Sequence, residues 1–426
     1  MTKRTILATQ FELLDEAKAR RWNHIATRLA GDGIELVLLS SNIHPVLELA
    51  YLEIPYPLSG YAHYSLPASD PIPDFSEEVT LEAGWQSSGN TEYAEQGAEQ
   101  CWLFYKALLQ TLDPDLVLAW NTLLPQSRIL RRVCQQLFIP CQTLERGLLP
   151  GTWMMDPGDN HLENSLFQSH VLASLAYPEA DQYPWLQAYR AWYQRNRPNK
   201  YATDERRQLD KLRQLKHSSE GLIVILSPVS GTGWMGTDSA PDRRSTLGFG
   251  SVEALLTILP EKFPDHVLAF RDHPINVVND QAFVIPEAIH RADDASLADY
   301  LELADKVLVL GGTTALYEVM LHRKPFMVAG QCLAARKLDQ LVANGPDDLA
   351  KLAHLQWQDC EAIADPLLEF LLSHYLIQID EQPETGFTLD AWVDFLTGFP
   401  IRPAAGRTTG TQALAAWLQK LTEEQR

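Results

Sequence analysis

The chain has 426 residues, 46% of them hydrophobic, and sets 35 Lys and Arg against 55 Asp and Glu for a formal charge of -20 at pH 7. That length exceeds one ordinary core and suits two domains of ~150–200 residues each. The negative balance opposes general attraction to nucleic acid or to an anionic bilayer, so an anionic ligand has to be held by a local basic site. The five cysteines (Cys101, Cys134, Cys141, Cys332, Cys360) show no CxxC or Cys/His spacing, which predicts reduced thiols in a cytoplasmic protein, with no disulfide framework and no metal site.

The segment from Met1 to Glu12 carries two basic residues and only a short apolar patch, and does not read as a signal peptide. No uncharged apolar run approaches the ~20 residues of a membrane-spanning helix. Any membrane association is expected to be peripheral, at the inner face of the cytoplasmic membrane.

Apolar residues at Leu13, Leu14, Ala17, Trp22, Ile25, Ala26 and Leu29 follow a helical period over 12–30, and Gly31 to Gly33 stop it. A strand follows at 34–40, then a helix over about 91–112, a strand at 115–120, a helix at 126–137 and a strand at 139–144. The stretch 181–220 turns aromatic and then charged, as helices and a linker between domains would. Alternation resumes with a strand at 221–226, a helix near 250–260, a strand at 266–271 and a short strand near 282–285. A helix at 296–303, a strand at 306–310, a helix at 314–322 and a strand at 325–329 complete the second series. The remainder, 365–426, reads as mostly helical. Such alternation predicts an α/β chain of two doubly wound, Rossmann-like domains facing each other across a cleft. The expected boundaries are 1–200, a linker at 201–220, 221–376, and a helical extension over 377–426. GT-B glycosyltransferases and sugar-nucleotide 2-epimerases share this architecture.

Ligands of open α/β sheets bind beyond the C-terminal ends of the strands. The strand at 266–271 delivers Arg271 and then His273, which Pro274 keeps out of helical conformation. The strand at 306–310 leads through Gly311, Gly312, Thr313 and Thr314 into a helix bearing Glu318, so hydroxyls, backbone N–H groups and a helix dipole converge where an anion can sit. His273 is expected to donate to a donor phosphate, with Arg271 or Arg243 and Arg244 adding charge, and Glu318 to meet ribose hydroxyls. The competing roles are a turn-capping histidine, an ordinary capped helix and a solvated carboxylate. The loop from Ser227 to Gly236, including Ser230 and Gly231, is small and polar enough to cradle phosphate, although it lacks Walker spacing. In the first half, Glu145 and then Asp156 are the candidates for the carboxylate that glycosyl transfer requires. Their structural alternatives are a salt bridge from Glu145 and turn capping by Asp156.

Taken together, Trp120-Asn121, the run Glu145 to Thr152, Asp156 with Gly158 and Asn160, Asn199-Lys200-Tyr201, Arg271 to Pro274, and Thr313-Thr314 with Glu318 and Lys324-Pro325 resemble the capsular polysaccharide biosynthesis proteins. That family includes the bacterial Kdo transferases and is distantly related to the His-Pro sialyltransferases. The resemblance runs from about Asp115 to Gly330. It implies a transferase using a CMP-activated ulosonic acid such as Kdo as donor and a glycan or glycolipid as acceptor, with no cofactor. By the same resemblance, His273, Thr313 and Thr314 bind the donor phosphate, Glu318 lies near the ribose and Glu145 is catalytic. Arg146 stands where such transferases often have aspartate, so a non-catalytic member of a polysaccharide assembly complex is a further alternative.

Overall fold

The computed structural model describes residues 4–66, 71–85, 91–122, 124–158, 183–196, 206–228, 249, 251–278, 282–311, 314–329, 338–379, 387–399 and 412. The chain folds into two compact units, the first made of residues 1–146, 153–160 and 388–426, the second of 147–152 and 161–387.

The first unit is built on β1 (Arg4–Gln10), β2 (Ile34–Ser40), β3 (Ala50–Glu53), β4 (Leu116–Trp120), β5 (Cys141–Arg146) and β6 (Thr152–Asp156), in the spatial order β6-β5-β4-β1-β2-β3. All neighbours are parallel except β5 and β6. The helix α1 (Glu16–Gly31) joins β1 to β2, α2 (Ser76–Trp85) and α3 (Thr91–Leu112) lie between β3 and β4, and α4 (Pro125–Gln136) joins β4 to β5. The central strand, β1, was not expected. Its apolar run is only Ile6-Leu7-Ala8, because Thr5, Thr9 and Gln10 are buried polar residues. Asp115 accepts from the Thr5 N–H at 2.9 Å, Thr9 Oγ1 accepts from the Trp120 N–H at 2.7 Å, and Gln10 Oε1 accepts from Trp22 Nε1 at 3.3 Å. Strand order reverses beside β1, which lies between β2 and β4, and this creates a topological switch point.

The helix Leu389–Thr397 belongs to this first unit. Arg28 pairs with Asp394 at 2.8 Å, and the buried Trp392 ring packs edge-on to Trp153 with centroids 6.0 Å apart. This division differs from the boundaries expected at 200 and 376. The aromatic helix α5 (Pro184–Arg195) belongs to the second unit, where Arg190 forms a two-pronged ion pair with Asp365 at 2.6 and 3.0 Å.

The second unit holds a wholly parallel sheet of β7 (Leu222–Leu226), β8 (Val267–Arg271), β9 (Ile289–Arg291), β10 (Lys306–Leu310), β11 (Phe326–Ala329) and β12 (Val342–Ala343). Its order is β12-β11-β10-β7-β8-β9, so a second switch point lies between β7 and β10. Connecting elements include α6 (Arg207–Lys216), α7 (Val252–Lys262), α8 (Pro274–Val278), α9 (Leu297–Leu303), α10 (Thr314–Leu321) and α11 (Trp357–Phe370). β7 and β10 are buried throughout, as expected for strands covered on both faces. The short strand expected near 282–285 lies instead at 289–291. Phe283 reaches the core, but its N–H donates to Asp272 Oδ2 at 2.8 Å and its carbonyl accepts from Arg291, so side chains hold the segment rather than a strand ladder. Among the described residues, no helix is long and apolar enough to cross a membrane.

Candidate functional site

At the C-terminal ends of β7, β8 and β10, Ser227, His273 and Gly311 lie one to two residues beyond their strands. His273 donates its backbone N–H to Ser227 Oγ at 2.7 Å and to Asp272 Oδ1 at 2.9 Å. Its ring Nδ1 accepts from the Ile275 N–H at 3.3 Å, which requires Nδ1 to be unprotonated and leaves the ring proton on Nε2. Burial lowers the imidazole pKa to about 4, the Asp272 carboxylate opposing and the Arg271 charge reinforcing that shift. His273 is therefore a neutral Nε2–H donor near pH 7. It is not a fixed positive charge.

Arg271 is only 7% exposed, and Nη1 donates to the carbonyls of Ala292 and Ala295 at 2.9 and 2.8 Å. Its guanidinium lies 5.3 Å from the centre of the Tyr300 ring. Burial pulls its pKa down, while Asp293, Tyr300 and Glu318 oppose the shift. This arginine thus braces the 292–295 turn and contributes field to the site.

Gly311 adopts φ +73°, a left-handed conformation that side-chain-bearing residues seldom take, and donates its N–H to the Ala329 carbonyl at 2.7 Å. Thr314 is exposed at the first turn of α10. Farther along that helix, Glu318 accepts a 2.7 Å hydrogen bond from the hydroxyl of the buried Tyr193 on α5. The Tyr193 partner could not be found from sequence, because helices 125 residues apart supply the two groups. Tyr193→Phe is expected to lower unfolding free energy by about 1.5 kcal/mol in urea melts, the cost of losing a hydrogen bond to a charged acceptor. Gly312, Thr313, Ser230, Gly231, Arg243 and Arg244 lie outside the described residues, as do Asn160 and Asn199 to Tyr201.

In the first unit, β4 ends at Trp120, and Asn121 turns the chain with φ +48°. Asparagine tolerates that geometry better than most side chains. Its Nδ2 donates to Glu145 Oε1 at 3.0 Å, holding a half-buried carboxylate at the C-terminal end of β5. Glu145 is not engaged by Arg146, whose guanidinium makes two contacts with Glu12, at 2.8 and 2.9 Å. Asp156 is fully buried at the end of β6, where Oδ1 accepts from the Gly158 N–H at 2.7 Å in a turn cap. The two candidate carboxylates therefore occupy different environments, and Glu145 is the one open to solvent. Gly147, in the second unit, has a steric reason to be glycine: an added Cβ would come within 2.0 Å of Thr152 Oγ1.

Two α/β units of the Rossmann-like kind, one with a wholly parallel sheet and one with a mostly parallel sheet, define the class of this protein. No family model matches the sequence, and no curated protein matches it. Similar solved structures include a protein assigned as a UDP-N-acetylglucosamine 2-epimerase in Listeria monocytogenes, at 13% identity and TM-score 0.37, covering 100% of this chain and 98% of that one. A glycosyltransferase from Rickettsia africae is 10% identical with TM-score 0.34, over 100% of this chain and 99% of that one. The glycosyltransferase SnogD from Streptomyces nogalater is 13% identical with TM-score 0.35, over 94% and 100% respectively.

Proposed function

We propose that this chain is a glycosyltransferase of GT-B type that takes a sugar from a CMP-activated donor, Kdo or a related ulosonic acid, and transfers it to a glycan or glycolipid acceptor in surface or capsular polysaccharide synthesis. It works in the cytoplasm, at the inner membrane face. The observation that carries the proposal is His273: its Nδ1 is occupied by the Ile275 N–H, so Nε2–H is presented at the end of β8, near the switch point that ends in Gly311. A neutral donor there, together with the first turn of α10, stabilises charge developing on the departing phosphate. No metal is assigned to this step. Glu145 removes the acceptor hydroxyl proton or attacks the anomeric carbon.

The experiment that tests the donor class is a thermal-shift screen of CMP, UDP, GDP and ADP. CMP is expected to raise the midpoint most, because ligand binding to the folded state alone stabilises it in proportion to RT ln(1 + [L]/Kd). A shift confined to UDP, with isomerisation of UDP-N-acetylglucosamine in the absence of acceptor, would overturn the proposal in favour of a 2-epimerase.

A further inference from the structure

The carboxylate of Asp272 lies buried between four segments of the second unit and receives a donor from each. Oδ1 accepts from Ser227 Oγ at 2.9 Å, the His273 N–H at 2.9 Å and Asn276 Nδ2 at 2.7 Å. Oδ2 accepts from the Phe283 N–H at 2.8 Å and from Arg291 Nη1 at 3.2 Å. Ser227 Oγ in turn accepts the His273 N–H at 2.7 Å, and Asn276 Nδ2 also donates to the Pro228 carbonyl at 3.0 Å. One carboxylate thus ties together the residue following β7, the His-Pro turn, the segment at 283 and the end of β9.

We infer that Asp272 is the positioning residue of the nucleotide site: it fixes the backbone of His273 and the turn whose Ile275 N–H selects the Nε2-protonated ring. The inference rests on the proposed role of His273 in phosphate binding. All five groups that reach this carboxylate are donors, and the Arg291 guanidinium is among them. Substituting an amide would turn one oxygen into a donor facing donors. The turn at 273–276 would lose its anchor, and with it the Ile275 N–H that occupies Nδ1.

The test compares Asp272→Asn and the milder Ser227→Ala with wild type in the full chain. CMP affinity is measured by calorimetry and the His273 tautomer by nitrogen-15 NMR of the ring. Both variants are expected to lose the single Nε2-protonated signature. Asp272→Asn should weaken CMP binding by about tenfold or more, the scale of a lost hydrogen bond to a charged group. The double variant Asp272→Asn/His273→Ala should bind no worse than His273→Ala alone. Retention of the wild-type ring signature in folded Asp272→Asn would overturn the inference. So would a further loss of affinity when Asp272→Asn is added to His273→Ala, because Asp272 would then act by another route. If Asp272→Asn does not fold, the ring signature of Ser227→Ala decides the matter in the same two directions. If His273→Ala leaves CMP affinity unchanged, the proposed function fails, and the ring signature alone decides whether Asp272 sets the tautomer.

Discussion

Glu145→Gln is expected to lower kcat for transfer by about 10²- to 10⁴-fold while nucleotide affinity stays at the wild-type level. The side chain is held by a 3.0 Å hydrogen bond from Asn121 Nδ2, so the amide, with its carbonyl oxygen toward Asn121, keeps shape and anchoring and loses the charge. A carboxylate that takes a proton or attacks carbon acts mainly in the transition state, and its loss appears in kcat with little change in ground-state binding. Turnover assays with CMP-Kdo and a lipid-linked glycan, alongside calorimetry with CMP, separate the two quantities. Unchanged kcat would remove Glu145 from catalysis and turn attention to a binding role for the whole chain. Asp156→Asn makes the contrast: with its Oδ1 capping a buried turn, that variant should lower stability before it touches chemistry.

His273→Ala is expected to weaken CMP binding by about 1.5–3 kcal/mol, the range for a hydrogen bond to a charged group. The same side chain also predicts a pH effect of definite sign. Its folded pKa is lowered to about 4 from 6.5, chiefly by burial. Between those values the unfolded chain binds a proton that the folded chain does not, so stability falls as pH drops below 6.5 and continues to fall until about pH 4. Above pH 6.5 both states carry the neutral ring, and the effect vanishes. Urea melts at pH 7 and pH 5 should show the wild type losing about 2 kcal/mol more than His273→Gln over that interval. An equal loss in both would show that the imidazole is not held neutral by its surroundings.

The elements most legible in the sequence were those whose buried residues are apolar. β7 is an unbroken apolar run, β10 is one after Lys306, and α1 carries its apolar stripe at Ala19, Trp22, Ile25 and Leu29. β1 was illegible for the opposite reason, since Thr9 and Gln10 are buried by virtue of partners on β4 and α1. Within the site, Pro274 and the glycine before α10 marked the strand ends because their backbone restrictions are local. The roles of neighbouring side chains were not local. Arg271 reads as a phosphate ligand in sequence, yet its Nη1 donates to two carbonyls more than twenty residues away. Asp272, one position on, looked like part of a motif and proves to join four segments.

By itself the sequence determined much of the alternation of strands and helices, the strand ends at Leu226, Arg271 and Leu310 and the residue types that follow them, because periodicity and backbone restriction act over a few residues. Only the tertiary structure decided that His273 presents Nε2–H, that Asn121 anchors Glu145, that Arg146 turns to Glu12, and that Tyr193 meets Glu318. Apart from the short-range bond at His273, each of these pairs joins residues far apart in the chain. The protonation state of the imidazole, like the engagement of each carboxylate, is set by burial and by neighbours that folding alone brings within hydrogen-bonding distance.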